Sequence, residues 1–159
     1  DLSTNRHECI LSPPASCGTI CLQPSRKAAM HTTQVYAALL AIFFVVLSVR
    51  VVSLRRKLHV TLGAGGNPTL ERAIRVHGNF AEYVPLGLLL IFLVESKAAP
   101  VWLPHLLGLC LVAGRTSHAL GVSQEKEDIR FRIVGMALTF TSLLVAAVYL
   151  LFTYLTADM

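Results

Sequence analysis

The fold class this sequence predicts is all-α: an integral membrane bundle of four helices running up and down. Three observations carry that reading. Hydrophobic residues fill 54% of the 159 positions, only 14% are charged, and mean hydropathy is +0.62, far from the values of an average soluble domain. Four apolar runs, at about 33–54, 72–94, 101–120 and 133–155, each approach the ~20 residues needed to cross the hydrocarbon core. None of them alternates with period two, which favours helices over barrel strands. The connections are short, so sequence neighbours should pack antiparallel.

Helix 1 ends in the basic cluster Arg55, Arg56 and Lys57. The following loop, TLGAGGN at 61–67, is glycine-rich. No Lys-Ser or Lys-Thr follows it, so it is not a phosphate loop. Asn67 and Pro68 supply an N-cap and a first-position proline for helix 2. Glu71 then suits the positive end of that helix's dipole. Pro85 removes one backbone hydrogen bond and should kink helix 2 just past its polar half, opening space between helices. Helix 3 carries Cys110 as a small packing residue. Near its end Arg115 and His118, three apart, share a face. The loop at 123–128 is acidic and solvated. Arg130 and Arg132 open helix 4, where a cation is unfavourable by the dipole. Lipid phosphates, the preceding acids or a bound anion would justify them. Gly135 permits close helix contact.

The polar half of helix 2 is the most informative segment. Ionisable residues inside a membrane are costly and usually functional. With Arg75 set at 0° on a helical wheel, Asn79 falls at about 40°, Glu82 at about −20°, Tyr83 at about 80° and Arg72 at about 60°. His77, at about 200°, faces away and is expected to meet a loop or another subunit. The stripe joins two cations, an amide, a carboxylate and a phenol, a set suited to a small zwitterionic or anionic molecule. The ends of helices 1 and 3 and the start of helix 4 bring further charge to the same side. His105 and Trp102 read as interfacial.

The formal net charge is +5. The cations flank the loops between helices 1 and 2 and between helices 3 and 4, while the loop between helices 2 and 3 has only Lys97. The positive-inside rule therefore puts both basic loops in the cytoplasm and both termini outside, with Arg26 and Lys27 opposed. Cations concentrated at membrane ends argue against a nucleic-acid partner. Residues 1–29 are polar and differ in composition from the rest. They read as a disordered or non-native extension. The spacing of His7, Cys9, Cys17 and Cys21 fits no zinc pattern, so no metal is expected.

The pattern Glu71-Arg72-x-x-Arg75-x-x-x-Asn79-x-x-Glu82-Tyr83-x-Pro85 resembles the MAPEG family, the membrane-associated proteins of eicosanoid and glutathione metabolism. The run Val52 to Arg56 is similar to the same segment in the family's leukotriene-forming member. The GAGGNP and GRTSHALG segments look most like its uncharacterised bacterial branch. The resemblance covers about residues 30–155. It implies a homotrimer in a bacterial inner membrane, with glutathione as co-substrate between subunits. It implies that Arg55 and Arg75 hold the tripeptide's carboxylates. Asn79, Glu82 and Tyr83 would hold its polar backbone and ammonium group. Arg72, Arg115 and His118 join the binding set. A thiol-activating arginine at the start of helix 4 would be Arg130 first, then Arg132. Where the eicosanoid enzymes carry tyrosines late in helix 3, this chain has His118 and Val122. The expected activity is a glutathione transferase or peroxidase acting on lipophilic electrophiles that arrive from the lipid. A non-catalytic bundle whose polar cluster serves trimer assembly, and a small transporter, are the alternatives. The second is weakened by the lack of paired repeats.

Overall fold

The structure, a computed structural model, describes residues 31–97, 99–123 and 129–157. The extension at 1–29 and the acidic loop at 124–128 lie outside these residues. Among the described residues there are four helices: α1 His31–Leu58, α2 Pro68–Ser96, α3 Trp102–Ser123 and α4 Ile129–Ala157. All four are long and apolar enough to cross a membrane. Each extends beyond the apolar run that predicts it. The added turns carry charges such as Arg55, Arg56 and Arg130, whose long stems let a helix continue while the charged head reaches water.

Cross-helix bonds fix the directions. Thr32 and Thr33 at the start of α1 meet Glu95 at the end of α2. Ser117 late in α3 donates to the Phe131 carbonyl early in α4. The bundle is therefore up-down, as expected. It is not a closed square. The α2–α3 pair is central: α1 packs on both of these helices, α4 packs on both, and among the described residues the α1 and α4 backbones do not come close. Leu40, Leu47, Phe80, Val84, Ile91, Leu107 and Leu111 fill the centre. Phe80 meets Phe43 edge-on, with ring centroids 5.2 Å apart. Much of the apolar surface of α1 and α4 faces outward, including Ile42, Val46, Val49, Leu144 and Val148. That arrangement suits lipid or neighbouring subunits rather than water.

The α3–α4 contact is the closest. A Cβ on Gly135 would lie 2.6 Å from the His118 backbone nitrogen and 2.7 Å from the Gly114 carbonyl oxygen. The absence of side chains there lets the two backbones touch, as expected for Gly135. At the same end of the bundle, the Asn67 side chain caps α2 by accepting from the Thr69 and Leu70 amides at 3.0 and 3.1 Å. Helix α2 then runs unbroken through Pro85.

Candidate functional site

An open cleft of about 970 Å³ lies at the end of the bundle that carries the basic loop between α1 and α2. Helix α2 supplies Glu71, Arg72, Arg75, Asn79 and Glu82 to its wall. Helix α3 adds His118 and Val122, helix α4 adds Arg132, and the loop adds Gly63 and Ala64. The wheel prediction for α2 thus holds for Arg72, Arg75, Asn79 and Glu82. One turn of offset between these residues keeps them on one face. Arg75 and Glu82 form no ion pair among the described residues, and both are exposed to the cleft. The Nε of Arg72 is buried without a hydrogen-bond partner. The wall therefore gathers three guanidinium groups, of Arg72, Arg75 and Arg132, and two carboxylates, of Glu71 and Glu82, a set suited to a ligand of mixed charge.

The other expected residues are placed differently. Tyr83 does not line the cleft. Its ring lies 5.3 Å from the Arg115 guanidinium carbon and 5.7 Å from the Phe140 ring, so it covers the arginine. Arg55 donates from Nη1 to the carbonyls of Thr61 and Gly63, at 3.3 and 2.9 Å. It pins the loop that forms the cleft rim instead of facing the cleft itself. Of the two arginines opening α4, Arg132 lines the cleft and Arg130 does not.

Arg115 is 2% exposed. Its Nη1 donates to the Asn79 side-chain oxygen at 2.6 Å and to the Asn79 carbonyl at 3.4 Å. Its Nε and Nη2 donate to the Thr139 hydroxyl at 3.0 and 2.6 Å, and Nη2 also reaches the Met136 sulfur at 3.5 Å. A guanidinium has five N–H groups, and all five are engaged within the chain. Arg115 therefore supports the cleft from behind and has no donor left for a ligand. His118 is buried beside it, on the cleft wall, with Arg115 and Arg132 as charged neighbours.

Thr139 and Met136 were not singled out in the sequence, because α4 reads as uniformly apolar. A signal was present. Arg132, Gly135, Thr139, Ser142 and Ala146 follow three-and-four spacing and form one stripe of small residues with a cation at its end. Of these, Gly135, Thr139, Ser142 and Ala146 are buried. His77 was expected to meet a loop or another subunit. It instead packs within the chain: Nε2 lies 3.0 Å from Ser48 Oγ, and the ring sits 4.8 Å from that of Phe44. The face of α2 opposite the stripe is covered by α1, which explains the correction. His105 does lie near the far end of the bundle, bonded to Thr32 and Tyr36. Trp102 is exposed there, as an interfacial aromatic would be.

A model of the MAPEG family matches residues 33–152. The inner membrane protein YecN of Escherichia coli K12 is 38% identical over 109 residues, which is 69% of this chain and 82% of that protein. YecN of Escherichia coli O6:H1 matches to the same extent.

Proposed function

The chain belongs to the MAPEG family of membrane proteins, and from that premise we propose that it binds glutathione in the cleft and activates its thiol for attack on lipophilic electrophiles. The carrying observation is the convergence of Arg72, Arg75 and Arg132 with Asn79 and Glu82 on one open wall. Glutathione is small, carries two carboxylates and one ammonium group, and matches that mixture of three cations, an amide and carboxylates. In this reading Arg75 and Arg72 take the carboxylates. Glu82 takes the ammonium group.

A free thiol has a pKa near 8.5, and the thiolate is the attacking form. Arg132, permanently charged and on the cleft wall, would favour the thiolate by Coulomb attraction. Arg130, two residues earlier and about 200° round the helix, does not line the cleft and belongs to the role less directly. In this reading the lipophilic electrophile arrives laterally from the bilayer. Catalysis would then consist mainly of concentrating, orienting and deprotonating.

The reading includes a homotrimer, with the outward apolar faces of α1 and α4 as the surfaces between subunits or toward lipid. It places the protein in a bacterial inner membrane, as its Escherichia coli relative is an inner membrane protein, with the cleft end and its basic loops in the cytoplasm. A bundle whose polar residues serve only assembly accounts for Arg115, Tyr83 and Thr139. It would have to use Arg75 and Glu82, exposed on the cleft wall, in contacts with a neighbouring subunit rather than with a ligand. Calorimetric titration of glutathione into the detergent-purified protein tests the proposal. Saturable binding lost in Arg75→Ala is expected. An intact protein that takes up no glutathione would refute it.

A further inference from the structure

We propose that Arg115 and Thr139 together orient Asn79 so that the cleft presents the N–H groups of its amide and not its oxygen. The site then takes ligands that place a carbonyl or carboxylate oxygen at that point. This rests on the glutathione reading and deepens it by dividing the work within α2: Asn79 meets an oxygen of the ligand, and Glu82 meets its ammonium group.

Arginine can only donate. The Asn79 atom 2.6 Å from Arg115 Nη1 is therefore the oxygen, since the reversed amide would set donor against donor. The fork itself cannot turn. Thr139 Oγ1 accepts from both Nε and Nη2 and donates its proton to the Gly135 carbonyl at 2.9 Å. One donor and two acceptor sites are all a hydroxyl has, and all are used. The last N–H of Nη2 faces the Met136 sulfur. Thr139 is 0% exposed and Arg115 2%, so water does not compete for these bonds. The Asn79 oxygen is thus committed inward. Its amide nitrogen has no partner among the described residues, and Asn79 lines the cleft. Two N–H donors remain for whatever enters. Thr139 never touches the ligand in this scheme. It is a positioning residue acting through Arg115.

Four variants of the full chain test this by calorimetry with glutathione, each checked for folding by size exclusion and thermal unfolding. Asn79→Asp keeps an oxygen for Arg115 but turns a second acceptor toward the cleft. Asn79→Ala removes the donors without adding charge, so a loss there cannot be repulsion. Both should bind about tenfold or more weakly, the range for losing a hydrogen bond to a charged or strongly polar group. Thr139→Val keeps the volume and removes the acceptor, and should weaken binding several-fold, while Thr139→Ser binds as wild type does. Asn79→Asp binding as tightly as wild type, or more tightly, would overturn the orientation. Thr139→Val at wild-type affinity would overturn the positioning role. If Thr139→Val does not fold, the two Asn79 variants decide the orientation. Wild-type protein that binds no glutathione refutes the functional reading itself, and the ligand class with it, an outcome the wild-type control tells apart.

Discussion

Removing the negative charge of Glu95 should loosen the start of α1. The carboxylate is buried at the far end of the bundle from the cleft. Its Oε1 accepts from the Thr32 amide at 3.0 Å, and its Oε2 accepts from the Thr33 amide at 3.0 Å and the Thr33 hydroxyl at 2.5 Å. Glu95 thus does for α1 what an N-cap does, but from a neighbouring helix 62 positions away. Thr32 and Thr33 are buried, so water cannot replace it cheaply. Glu95→Gln keeps one oxygen. At best that oxygen replaces Oε2, and the new amide group then faces the Thr32 N–H, donor to donor. One charge-assisted bond is lost and the others weaken, which corresponds to about 1.5–3 kcal/mol. Unfolding of the variant in mild detergent should report that loss, and hydrogen exchange should quicken at the Thr32 and Thr33 amides while the α3–α4 contact stays protected. Stability within about 0.5 kcal/mol of wild type, with unchanged exchange at these amides, would refute the reasoning.

Three further outcomes are expected. Gly135→Ala would press a methyl group against the His118 backbone, so it should cost about 1–3 kcal/mol in thermal unfolding as α3 and α4 separate. Arg55→Ala removes the two bonds that hold the loop carbonyls of Thr61 and Gly63, and limited proteolysis should then cut within residues 59–67 faster than in wild type. Arg132→Leu should slow glutathione conjugation to a lipophilic aryl halide more than Arg130→Leu does, because only Arg132 lines the cleft. Equal effects in a steady-state assay would count against that assignment.

The helices and the cleft's α2 wall were legible in the sequence for simple reasons. A membrane demands long apolar runs, and a helix puts positions 72, 75, 79 and 82 on one face whatever surrounds them. The cap at Asn67 and the close contact at Gly135 follow from local chemistry in the same way. What the sequence could not give is which side of a shared face meets the cleft and which meets another helix. Tyr83 lies only about 40° from Asn79 on the wheel, yet it turns to Arg115 and Phe140 because α3 and α4 pass there. Arg115 looks like a ligand residue until Thr139 and Met136 are seen to occupy its donors. Glu95 was overlooked because its partners are backbone amides 62 and 63 positions away. His77 could be turned from the stripe by periodicity, but its contact with Ser48 needed the packing of α1.

The central claim is that the cationic cleft is a glutathione site. Its most direct test is an experimental structure of the protein in lipid nanodiscs with glutathione present. The account predicts the tripeptide in the cleft, with a carboxylate at Arg75, an oxygen at Asn79, the ammonium group at Glu82 and the thiol on the Arg132 side. A well-defined cleft without the tripeptide at saturating concentration, or the tripeptide bound elsewhere, would contradict it.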